Sequence, residues 1–190
     1  MPLYLKLVPA YVVVAWMIAV DLVNLNYKGT EVISPEVQVQ NVKVATVVDH
    51  TFGKPVWVSI PRLSLGVNVE AGSSDRDGRK WTLSWTKAYY ATVSAIPNDL
   101  AGNTVIYGHN VKEVFGRTED LKIGDRLFIR TDKGLLVTYR FFSSFDVDPS
   151  DTSIFDYQGK PIVTLITCSG ILDQKRRLMQ FELAEGTNES

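Results

Sequence analysis

Apolar residues in this chain recur in short bursts broken by Gly, Pro, Asn and Asp, and few windows sustain a helical period. Val56-Trp57-Val58-Ser59-Ile60 stops at Pro61, and Thr104-Val105-Ile106-Tyr107 follows the turn pair Gly102-Asn103. The runs 126–130 and 135–142 flank Thr131-Asp132-Lys133-Gly134, a hairpin signature. The runs 162–167 and 178–183 complete the predicted strands, and 114–121 predicts a short helix closed by Ile123-Gly124. Many short strands with frequent turns predict a mostly β domain, either a barrel or a sandwich. The polar stretch 26–54 reads as a linker and lead-in, 55–185 as the domain and 186–190 as a frayed tail.

One segment departs from this pattern. Leu7 to Val20 is an uncharged apolar run that resumes after Asp21 and reaches Leu25. As a helix, Leu7 to Leu25 would span roughly 28 Å at about 1.5 Å per residue, close to the hydrocarbon thickness of a bilayer. Lys6 and the amino terminus place positive charge on one flank only, which favours an N-in orientation. No small-x-small cleavage site follows the run. Residues 1–25 are therefore expected to be an uncleaved membrane anchor, with the domain on the extracytoplasmic side. A signal peptide and a core helix are the alternatives.

Composition narrows the function by exclusion. The fractions of 45% hydrophobic and 22% charged residues are those of an ordinary globular protein. A formal net charge of -1, with no interleaving of Lys/Arg and aromatics, gives no footprint for nucleic acid. A single cysteine excludes an intramolecular disulfide and a multi-cysteine zinc site. Two isolated histidines do not suggest a metal site, and no phosphate-loop or dinucleotide fingerprint occurs. No cofactor and no metal are expected.

The chemistry that remains sits at strand tips. Cys168 ends Thr164-Leu165-Ile166-Thr167-Cys168, and Ser169-Gly170 turns the chain away at once. A lone cysteine is more often a small buried hydrophobe than a nucleophile. Its place at a tip, where substrate can approach, favours catalysis, and its thiol then needs an imidazole or a cation to ionise. His109 ends Val105-Ile106-Tyr107-Gly108-His109, behind a glycine that permits close backbone approach. His50, in Asp49-His50-Thr51-Phe52-Gly53, reads as a surface turn residue. Arg176 and Arg177 open the last apolar run. Alternation sets Arg177 on the packed face with Met179, Phe181 and Leu183, and Arg176 on the wetter face. A guanidinium turned inward needs an anionic partner, and an oxyanion forming on a substrate carbonyl is one. Alternation therefore favours Arg177, unless a bulge reverses the choice. Thiol, imidazole and guanidinium are the parts of a cysteine acyl-transfer site.

Together these segments resemble the sortases, cysteine transpeptidases of bacterial surfaces. Thr164-Leu165-Ile166-Thr167-Cys168 fits the family's TLxTC signature, Gly102 to His109 fits its histidine strand, and an arginine opens the last strand. The resemblance covers about residues 55–185. It implies a single barrel of about eight strands with a few short helices behind an N-terminal hydrophobic helix. It implies that Cys168 attacks a sorting-signal peptide of secreted surface proteins, that His109 is its proton partner and that Arg177 holds the oxyanion. Thr167 matches a position that helps shape the peptide groove. The thioester would pass to an amine of a cell-wall precursor or a pilin lysine. The segment 143–160 carries Asp146, Asp148, Asp151 and Asp156 without regular ligand spacing, which reads as a solvated acidic loop and fits no defined subfamily. A cysteine peptidase that uses water, and a β-barrel binding module whose cysteine is core, are the competing readings.

Overall fold

The computed structural model describes residues 49–73 and 81–184, and each apolar burst predicted as a strand is one. The expected anchor at 1–25, most of the linker and the tail at 186–190 lie outside the described residues. Among the described residues no helix is long and apolar enough to cross a membrane.

The strands are β1 (Pro55–Ile60), β2 (Leu65–Gly72), β3 (Ala88–Ala91), β4 (Asn103–Tyr107), β5 (Arg126–Thr131), β6 (Leu136–Val147), β7 (Ile162–Ser169) and β8 (Lys175–Leu183). They close into a barrel in the order β1-β2-β3-β4-β7-β8-β6-β5. Closure pairs every strand on both sides, which decides barrel over sandwich. Two neighbouring pairs run parallel, β2 with β3 and β4 with β7; the others are antiparallel.

Two strands lie beyond the predicted set. β2 alternates cleanly, with Leu65, Val67 and Val69 buried and Gly66, Asn68 and Glu70 exposed. β3 is four residues long and wholly buried, too short to show a period. The hairpin closes as its turn residues dictate, with Gly134 at φ 79° and its N–H on the Thr131 carbonyl at 3.0 Å. The predicted helix at 114–121 is instead a run of turns ending in a 3₁₀ turn, Thr118–Asp120. Val114 and Phe115 are both fully buried there, and the N–H groups of Val114 and Gly116 share the Val111 carbonyl at 2.9 and 2.8 Å.

Two apolar clusters result. The barrel interior packs Val58, Ile60, Leu127, Ile129, Leu165 and Phe181. A second cluster lies on the outer face of the wall, where Tyr89, Val105, Tyr107 and Leu178 meet Ile154 from the β6–β7 connection. That connection is pinned by Asn103, which is buried. Its Nδ2 donates to the Ile154 carbonyl at 3.1 Å, and its Oδ1 accepts from the Thr164 hydroxyl at 2.9 Å. A buried carboxamide satisfied on both ends fixes position at little net cost.

Candidate active site

β7 lies between β4 and β8, so its tip is flanked by the end of one strand and the start of the other. Across the antiparallel β7–β8 ladder Cys168 sits opposite Arg176, and Thr167 sits opposite Arg177. Residues directly opposite share a face. Cys168 and Arg176 therefore project outward with Ile166 and Leu178, while Thr167 and Arg177 project inward with Leu165 and Met179. The outer pair lines an open cleft of about 230 Å³ whose floor includes Val105, Tyr107, Ile154 and Phe155.

Arg177 thus faces the packed side, as alternation predicts, but the sulfur faces the other. Its Nε donates to Asp146 Oδ1 at 2.9 Å and its Nη2 to Oδ2 at 3.3 Å. The pair holds the Asp146 carboxyl below its ordinary range. The guanidinium opposite Cys168 on the ladder is that of Arg176, while Arg177, the expected one, is held by Asp146. A β-bulge at Phe142 gives Arg177 that partner: Phe141 pairs Phe181 but Ser143 pairs Gln180. The extra residue flips the alternation of the rest of β6 and turns Asp146 inward to meet Arg177. Only the start of the expected acidic loop, 143–147, is strand, and just beyond it Asp148 pairs with Lys175 at 2.8 Å.

The turn from β7 to β8 is strained. Gly170 has φ 78°, and two non-glycine residues, Leu172 and Asp173, are left-handed at φ 56° and 60°. This geometry presents the Asp173 carbonyl to Arg176 Nη1 at 2.9 Å, beside a second bond to the Lys175 carbonyl at 3.0 Å. Burial pushes the Cys168 thiol up from its ordinary value; Arg176 pulls it back and the Asp173 carboxylate adds to the rise.

β4 delivers His109. The Gly108 N–H donates to the Ile166 carbonyl at 3.0 Å, which carries the parallel β4–β7 ladder past Tyr107. Extending that register two residues beyond the Tyr107–Ile166 pair would set His109 level with Cys168, with neighbouring strands about 4.8 Å apart. Gly108 has to be glycine, because a Cβ there would lie 2.6 Å from Val114 Cγ1. The buried Thr167 hydroxyl donates to the Gly108 carbonyl at 2.9 Å. Its hydroxyl therefore ties the two strands together, and Thr167 is also among the residues lining the cleft. His109 follows Gly108, which lines the cleft, and is half-buried, with its ring stacked on Trp85 at 4.3 Å and 10°. His50 lies apart, exposed and bonded through Nδ1 to Asp99 at 2.9 Å.

The Sortase domain family profile matches residues 58–181, which takes in all three strand tips. The chain belongs to the sortase family. It is a cysteine transpeptidase. Among solved structures, this sortase is similar to the Group B Streptococcus Pilus Island 1 Sortase C2, with TM-score 0.57 at 22% identity over 72% of this chain and 76% of that one. It is similar also to a lid mutant of sortase A from Corynebacterium diphtheriae, with TM-score 0.58 at 23% identity over 71% and 73%. Sortase A of Listeria monocytogenes gives TM-score 0.56 at 22% identity over 72% and 89%. These likenesses establish the barrel fold. No curated protein matches the sequence.

Two residues of the sortase's site carry no strand signal in the sequence. Trp81 packs edge-on against Tyr107 at 4.9 Å and stacks on Phe155 at 6.0 Å, which makes it a wall of the cleft. Trp85 covers His109. Their one sequence signal is a pair of tryptophans four apart in an otherwise polar stretch, Trp81-Thr82-Leu83-Ser84-Trp85.

Proposed function

We propose that this sortase cleaves a sorting-signal peptide lying in the outer cleft, with Cys168 as nucleophile, His109 as proton carrier and Arg176 as oxyanion partner. The observation that carries the reading is the outward pairing of Cys168 with Arg176 above an apolar floor. His109 takes the thiol proton and Sγ attacks the scissile carbonyl carbon. Arg176 lies beside the oxygen on which negative charge grows. The carbon–nitrogen bond breaks as His109 returns the proton to the leaving amine, and a thioester remains. An incoming amine attacks that thioester, gives its proton to His109, and Sγ departs. Amine supply, from a cell-wall precursor or a pilin lysine, decides transfer over hydrolysis. Arg176 offsets part of the burial that disfavours the thiolate.

Residues 1–25 act in this reading as the membrane anchor, 26–54 as a tether and 55–185 as the catalytic domain on the extracytoplasmic side. The full-length chain is expected to sediment with membranes and to be released by detergent. The test of the site is a peptide-library assay on the full chain with a small amine present. Ligated product that forms with the wild type, and is lost in Cys168→Ala and His109→Ala, supports the assignment. Full turnover in Cys168→Ala refutes it.

A further inference from the structure

We propose that Trp85 is a positioning residue for the reaction, clamping the His109 imidazole face-on so that its edge stays turned to Cys168. The inference rests on the reading of His109 as proton carrier. An imidazole that shuttles protons is normally fixed by a third group that accepts its second N–H. Among the described residues no carboxylate, amide or carbonyl bonds either ring nitrogen of His109, and the residue's recorded polar contact is through its own backbone carbonyl, to Phe115 N–H at 3.1 Å. β4 has ended at Tyr107, so the ladder does not fix the side chain either. What holds the ring is an indole at 4.3 Å, within 10° of parallel. Near-parallel stacking restricts the tilt of a ring while leaving both its nitrogens free at the edge, which suits a group that must donate and accept in turn.

Trp85 has little other reason to be where it is. It is 68% exposed, an uncommon state for the largest apolar side chain. It stands in the connection just before β3, and Ser84 and Thr86 on either side bond to each other locally, with the Thr86 N–H on Ser84 Oγ at 3.2 Å. That local bond orders the turn that carries the indole. Aromatic pairs of this kind contribute about 0.5–1.5 kcal/mol beyond area burial, equivalent to roughly a 2- to 10-fold bias in favour of the stacked ring.

The experiment uses the full chain and follows both activity and the imidazole itself. With only His50 and His109 in the sequence, each gives one set of ring-proton resonances, and His50 serves as an internal reference. Stacking on an indole shifts the His109 ring protons upfield. Trp85→Ala is expected to move them downfield, leave His50 in place, and lower kcat by about 2- to 10-fold with KM changing less. Trp85→Phe is expected to recover most of the rate. Because the side chain is largely exposed, the alanine variant should keep the rest of the spectrum, a check on folding. Unmoved His109 resonances in Trp85→Ala would overturn the clamp, as would a rise in KM with kcat intact or a Trp85→Phe rate as low as that of alanine. Full turnover in His109→Ala would instead refute the proton-carrier reading on which the clamp depends.

Discussion

Arg176 and Arg177 are neighbours in sequence with opposite destinations, so exchanging either for glutamine should give two different phenotypes. Arg176→Gln removes the charge beside Cys168 while keeping a polar side chain of similar reach. Removing one donor to a developing oxyanion typically costs about 10²–10³ in kcat. Stability should hardly change, because the bonds lost go to carbonyls at an exposed turn. Arg177→Gln removes a bidentate ion pair whose side chains are 36% and 35% exposed, a setting that discounts it toward the range of surface pairs, about 0.2–1 kcal/mol. For a domain of this size the melting temperature should fall by roughly 1–5 °C while kcat stays near the wild-type value. The stability gap should also depend on pH in one direction. The Asp146 carboxyl titrates lower in the folded state than in the unfolded chain. The contribution of the pair is therefore full above the unfolded carboxylate value of about 3.9 and is lost as pH falls through the lower folded value. Thermal melts of wild type and Arg177→Gln at neutral and acid pH, beside steady-state transpeptidation of both variants, make the comparison. Loss of turnover in Arg177→Gln with Arg176→Gln active would refute the assignment of faces.

Two other changes probe the same strand tips. Thr167→Val removes the hydroxyl that satisfies the Gly108 carbonyl, leaving a buried acceptor unpaired at a cost of about 1–3 kcal/mol in denaturant titrations; Thr167→Ser should restore most of it, and equal stability of the valine variant would show the bond to be unimportant. Asp173→Asn removes the carboxylate that raises the Cys168 thiol, so the midpoint of its alkylation rate against pH should move to lower pH; Arg176→Gln should move it the opposite way, and a shift of the asparagine variant upward would contradict the electrostatics.

Much of the barrel was legible because its strands are punctuated. Pro61, Gly102-Asn103, Gly134 and Ser169-Gly170 each stop or start a strand at the place their backbone preferences require. That Cys168 would pair with Arg176 on the ladder was not legible, for a reason that lies in the packing. Alternation on β8 identified the side facing the core, and the site was sought there. In the proposed site the chemistry lies on the other side of the wall, where the β6–β7 connection supplies a second apolar cluster. Leu178 is consequently as buried as Met179, and the polar-out half of the pattern loses its meaning. The bulge at Phe142 was equally silent, since Phe141-Phe142-Ser143-Ser144-Phe145 reads the same with or without an extra residue. Trp85 escaped because a loop aromatic has no periodicity to betray its partner.

Topology explains why the site stands where it does. A small closed barrel fills its interior with side chains and leaves no room for a peptide, so reacting groups must lie on its wall or rim. Most neighbouring strands here are antiparallel, and an antiparallel pair sends its two C-terminal tips to opposite ends. β4 and β7 are one of the two parallel pairs, and their C-terminal ends reach the same rim. That sets the strand end leading to His109 beside the one that carries Cys168. β8 returns antiparallel from a short turn after β7, so its first residues occupy the rim as well and deliver Arg176. One parallel pair with an antiparallel neighbour is thus enough to assemble three groups from segments far apart in sequence. The thiol is then set by the ladder and the guanidinium by its turn, while the imidazole alone needs a partner from elsewhere, which is the place Trp85 occupies.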